Sequence, residues 1–262
     1  MSGVAEMVGS TGAILHAEGL DSHPMRLVAV THGPPSTENR EAVIRLVDGV
    51  ASLRPDLEVS ISFVDASNAD VAAMLAVGAD ADAEADADAD DVIVPLVLSA
   101  GYHVRTGLSQ GLDRIGGRTQ LAAELGPDDR IVSVLAARLE EVGLDSGDAV
   151  VLAAAGSNDP RAVRECFETA RRLAHRLGRP VTVGFIAAAI PRLPDAIEMI
   201  REVHPGARVV VGTYLLAPGT FYDAASAAGA DAVAAPLLTP ERAAPRELVE
   251  LVIERYGDAA PE

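Results

Sequence analysis

The chain has 262 residues and a formal charge of −18, and every one of its basic residues is an arginine. That length suits one large domain or two lobes, while the absence of lysine excludes Schiff-base chemistry and a lysine phosphate loop. An acidic balance with no basic stripe argues against nucleic acid as a partner, and a single cysteine excludes a disulfide framework or a cysteine-cluster zinc site.

Residues 1–25 read as a flexible tail, because they lack the basic n-region and apolar stretch of a signal peptide. No apolar run reaches the roughly 18 to 20 residues of a membrane span, so the expected setting is cytoplasmic, with no membrane partner. Hydrophobic residues make up 49% of the chain but aromatics only 3%. The core must therefore be aliphatic, as in parallel strands buried beneath Ala-rich helices. Strands are expected at 26–31, 58–64, 92–98, 131–135, 149–155, 181–187, 208–214 and 232–237, and helices at 37–53, 160–177, 192–203 and 241–255. Pro160, with Asp159 before it, is a typical helix start. This alternation predicts an α/β fold of two similar lobes, each a parallel four-stranded sheet flanked by helices. The lobes are placed at 26–145 and 146–257, followed by a short tail at 258–262.

The order of elements repeats. VTHG (30–33) corresponds to AAAG (153–156), SFVD (62–65) to GFIA (184–187), and LSAGYH (98–103) to LAPGTF (216–221). Offsets of 118 to 123 residues point to a duplication. Ligands of parallel α/β sheets bind beyond the carboxyl ends of the strands. There the first repeat offers His32, Asp65 and His103, and the second offers Ala155, Ala187 and Phe221. Two imidazoles and a carboxylate suit a divalent first-row metal with coordination positions left open. Asp65 has a competing reading as the N-cap of the next helix. His16, His23, His175 and His204 receive no chemistry, and Cys166, in mid-helix, reads as a buried inert thiol. The acidic run 79–91 reads as a solvated loop insertion, with a weak divalent-metal trap as the alternative.

The glycine-flanked His32, the FVD strand end and PLVLSAGYHVR resemble the CbiX/SirB family of sirohydrochlorin chelatases. The later VVLAAAGSNDPRA and YLLAPGTFYD resemble its long, two-lobed members. The similarity spans about residues 26–257, which implies a chelatase-like fold. It also implies ATP-independent insertion of Co²⁺ or Fe²⁺ into sirohydrochlorin, in sirohaem or cobalamin biosynthesis. No cofactor is permanently bound on this reading, since the metal is a substrate. The family's metal-binding and catalytic histidines carry over onto His32 and His103, and its strand-two acid onto Asp65. Ser99, Gly101, Tyr102, Arg105 and Arg40 are the expected macrocycle contacts, with Arg114 a weaker one. The family usually reads GHGS where this chain has THGPPS, and the two prolines stiffen that loop. Two other readings stay open: a tetrapyrrole or metal carrier of the same fold, and a module binding a small anion between the lobes. The expected assembly is a monomer or homodimer.

Overall fold

The computed structural model describes residues 26–32, 36–64, 91–99 and 119–260, with His32 and Val64 described by their backbone. In chain order the first repeat contains β1 (Arg26–His32), α1 (Thr37–Leu53), β2 (Glu58–Val64), β3 (Asp91–Pro95), β4 (Gln120–Leu121) and α2 (Asp129–Glu141). The second contains β5 (Ala149–Ala154), α3 (Pro160–Leu177), β6 (Val181–Phe185), α4 (Leu193–Val203), β7 (Val209–Tyr214), α5 (Thr220–Ser226), β8 (Ala232–Val233) and α6 (Arg246–Ala259). The two sheets have the orders β2-β1-β3-β4 and β6-β5-β7-β8, and every pairing is parallel. The expected α/β architecture of two similar four-stranded lobes is the one observed.

Local chemistry accounts for most of these elements. The Ser36 side chain caps α1 by accepting from the Asn39 N–H, and α1 buries Ala42, Val43, Leu46, Val47 and Val50 along one stripe. Asp159 caps α3 with Pro160 in its first turn, and Gly178 closes α3 in the left-handed conformation. Asp91, the last residue of the acidic run, opens β3 and forms a bidentate ion pair with Arg26 at the start of β1, at 2.9 and 2.8 Å. The rest of that run lies outside the described residues.

Two expectations are corrected. Residues 131–135, expected as a strand, lie inside α2. Their β-branched side chains favour a strand, but the buried positions Ile131, Val134, Leu135, Arg138 and Leu139 recur at helical spacing behind an Asp128 cap. The fourth strand of the first sheet is instead the two-residue β4. The last helix begins at Arg246 rather than at 241, because Pro245 pushes the residue before it out of helical backbone.

Each repeat lends its closing helix to the other. Helix α2 packs on α3 and β7 of the second repeat, while α6 packs on α1 and β3 of the first. One aliphatic core consequently runs through both lobes and includes Leu27, Leu46, Val94, Leu135, Leu139, Leu152, Leu173, Val210, Leu248 and Leu251. A smaller cluster beneath α4 and α5 contains Val151, Leu193, Ile197, Val209 and Val211. The helix–helix contact is close: a Cβ on Gly49 of α1 would stand 2.8 Å from a Val249 methyl of α6.

Two arginines complete the exchange in matching ways. Buried Arg138 of α2 donates to the carbonyls of Pro236 (3.1 Å) and Leu237 (2.9 Å). Arg255 of α6 donates to the carbonyls of Glu124 (3.0 Å) and Leu125 (3.2 Å). Arg130 joins the two helices, bonding Asp128 at 2.9 Å and Glu254 at 2.7 Å. Burial works against ionisation of Asp128, but hydrogen bonds from Arg130 and the charges of Arg130 and Arg255 outweigh it and hold the carboxyl below its ordinary value.

Two predictions follow from this brace. Replacing Arg138 by Leu strands two buried carbonyls, and chemical denaturation should show a loss of about 2–4 kcal/mol; a loss under about 0.5 kcal/mol would mean the carbonyls find other donors. Because the folded pKa of Asp128 is depressed, its contribution is present above its unfolded value, near 3.9, and disappears as pH falls through the folded value. Asp128→Asn should therefore lower the unfolding midpoint at pH 7, and the difference from wild type should shrink as pH falls below the ordinary carboxylate value.

Candidate functional site

In each sheet the chain runs from the second strand in the order to one flank and later returns on the other, so the ends of β1 and β3, and of β5 and β7, part at a switch point. Such crevices are where open parallel sheets bind ligands. His32 is the last residue of β1 and is in register with Val64, the last residue of β2. Asp65 follows Val64 in the chain but lies outside the described residues, as do Gly101, Tyr102, His103, Arg105 and Arg114. Among the described residues no group of three metal-ligating side chains occurs.

Ser99 and Arg40 are placed. Arg40, on the first turns of α1, lies over the Phe63 ring of β2 with 4.6 Å from guanidinium carbon to ring centroid. Phe63 pairs with Thr31, one residue before His32, which puts an exposed cation near the carboxyl edge of the first sheet. Ser99 follows β3, half-buried, and its hydroxyl bonds the Cys166 thiol of α3. Burial chiefly, with the Glu165 charge adding to it and the Ser99 bond opposing it, pushes that thiol up to about 11. Cys166 is therefore a neutral packing residue at pH 7.

The two carboxyl edges face each other, as their cross-lobe bonds show. Asn39 at the start of α1 donates through Nδ2 to the Pro218 carbonyl after β7, at 2.8 Å. Tyr214 at the end of β7 donates its hydroxyl to the Leu98 carbonyl after β3, at 2.9 Å. Burial raises the Tyr214 pKa well above its ordinary value, so the phenol stays a donor. Arg161 of α3 pairs with Glu124 of the first repeat at 3.0 Å and with Glu165 at 2.8 Å. The helices α1, α2, α3 and α6 close one side of this junction with the shared core.

Sequence reasoning missed Asn39, Tyr214 and Arg161, because their partners are 179, 116 and 37 residues away. A sequence signal existed for Tyr214 alone, in that a polar-tipped aromatic ends the otherwise apolar strand VVVGTY.

The fit around the Tyr214 hydroxyl is tight: a Cβ on Gly126 would stand 2.3 Å from it and 2.5 Å from the Leu98 oxygen. Gly126→Ala should accordingly displace the hydroxyl and lower stability by about 1–3 kcal/mol, measured as a shift in the denaturation midpoint. A Gly126→Ala protein as stable as wild type would show that the loop yields without strain.

Comparison with known proteins agrees with this architecture. SirB from Bacillus subtilis with Fe3+ aligns with a TM-score of 0.71 at 16% identity, covering 90% of this chain and 95% of that one. The sirohydrochlorin chelatase SirB from Bacillus subtilis subspecies spizizenii, in complex with cobalt, aligns at 0.61 and 13%, covering 90% and 94%. CbiX, the terminal enzyme for biosynthesis of siroheme in denitrifying bacteria, aligns at 0.60 and 20%, covering 90% and 100%. No curated protein sequence matches significantly. These identities speak for the fold, whereas the CbiX family itself matches residues 26–142 and 149–256, one match on each repeat. With both repeats matched over most of their length, the chain belongs to the CbiX family.

Proposed function

We propose that this protein inserts a divalent metal, Co²⁺ or Fe²⁺, into sirohydrochlorin without ATP. The observation that carries the reading is asymmetric: His32 ends β1 at a switch point whose counterpart in the second repeat ends in Ala154 and Ala155. Only one of two similar crevices is given a metal-ligating side chain there. Family membership and the likeness to the cobalt-bound sirohydrochlorin chelatase SirB support the same reaction class.

The chemistry needs few parts. Each metal that enters the macrocycle displaces two pyrrole N–H protons, so the site must deliver a dication and accept protons. Neutral imidazoles do both, since the nitrogen lone pair that binds the metal also takes up a proton once the metal has left. His32 and His103 are assigned these roles, with Asp65 as a third ligand or as the group orienting them. Arg40 supplies a cation for the carboxylates of the substrate rim.

The test is anaerobic absorbance of sirohydrochlorin with Co²⁺ or Fe²⁺, comparing wild type, His32→Ala, His103→Ala and no protein. Metal-dependent spectral change well above the spontaneous rate, reduced at least about tenfold in either variant, is expected. Wild type that binds the macrocycle yet matches the no-protein rate would instead identify a carrier. Binding of an anion that is indifferent to loss of both histidines would identify an anion-binding module.

A further inference from the structure

The apolar run that follows β3 is anchored differently from its counterpart after β7. In the second repeat Leu215 and Leu216 stay in the ladder, their carbonyls accepting from the Leu237 and Leu238 N–H groups at 3.0 and 2.8 Å. The matching pair in the first repeat is Val97 and Leu98. The Val97 carbonyl accepts from the Leu125 N–H at 2.9 Å, but among the described residues Gly126 donates no backbone bond to Leu98. The Leu98 carbonyl accepts instead from the Tyr214 hydroxyl of the other repeat, at 2.9 Å. The next residue, Ser99, bonds the Cys166 thiol of α3, also in the other repeat.

The side chains are matched to this exchange, and on one side only. Gly126 stands where the second repeat has Leu238, and a Cβ there would stand 2.3 Å from the Tyr214 hydroxyl. The repeat counterpart of Tyr214 is Leu96, which has no polar side-chain atom to return the bond. Ser99 and Cys166 likewise have the apolar counterparts Ala217 and Val43. The fold itself does not require these bonds, since the second repeat closes the same ladder with backbone alone. The place is also particular. Leu96 donates to the Val30 carbonyl of β1 at 2.7 Å. Two residues further along parallel strands, Leu98 comes beside the end of β1, which is His32.

We infer that Tyr214 is a positioning residue for metal insertion: it holds Leu98, as Cys166 holds Ser99, and so fixes the exit of β3 beside the end of β1. The inference rests on the chelatase reading and gives the second repeat a part in it. One wall of the first sheet's switch point is thereby tied to the facing lobe rather than to its own ladder. The orientation set by α2 and α6 is passed to that strand end. Groups that hand a metal to its acceptor tolerate little displacement, about 1 Å being enough to cost roughly a hundredfold in rate.

The test is Co²⁺ insertion into sirohydrochlorin by wild type, Tyr214→Phe, Cys166→Ala and Thr213→Val, with unfolding midpoints alongside. Thr213 is the stability control, because its buried hydroxyl donates to the Ala234 and Ala235 carbonyls within the second repeat, at 3.2 and 3.0 Å. Tyr214→Phe should lower kcat about five- to thirtyfold and Cys166→Ala about three- to tenfold, each with sirohydrochlorin KM within about twofold of wild type. Thr213→Val should lower the midpoint comparably yet keep kcat within about twofold. If Tyr214→Phe does not fold, Cys166→Ala decides alone. A kcat near that of wild type in the folded variants, or one falling in step with stability in all three, would overturn the positioning role and leave the chelatase reading intact. If wild type binds Co²⁺ without inserting it, the same losses are expected in Co²⁺ affinity, and unchanged affinity overturns the role. If wild type neither binds nor inserts, both readings fall together.

Discussion

The exchange of closing helices is the constraint on which the rest of the molecule depends. A four-stranded parallel sheet must be covered on both faces, and neither repeat covers its inner face with its own last helix. Helix α2 leaves the first sheet to lie against β7, and α6 returns from the second to lie against β3. Arg138 and Arg255 then satisfy carbonyls that would otherwise be stranded at the loops before the next helix or turn. Separating the lobes would expose aliphatic core and break these bonds together, so the two repeats are one cooperative unit with a defined relative orientation.

That orientation brings the carboxyl edges of the two sheets together. Tyr214 and Asn39 bond across the junction close to the strand ends that lead toward the candidate metal residues. On the proposed reading the first edge supplies the metal donors, with His32 at the end of β1.

What the sequence determined by itself was the set of properties encoded locally. Aliphatic runs punctuated by caps placed α1 and α3 at their observed limits, because Ser36, Asp159 and Pro160 act on the residues beside them. The repeat was legible from paired strand ends, and His32 was legible as a candidate because a strand terminus is a local feature. Residues 131–135 misled because β-branched content and helical period disagree there, and the period prevailed once α2 had a second sheet to pack on. Only the tertiary structure decided the crossing of α2 and α6 and the partners of Arg138, Tyr214 and Asn39. Each of these depends on which surfaces meet across a hundred or so residues of chain, and a local pattern of side chains carries no record of its distant neighbour.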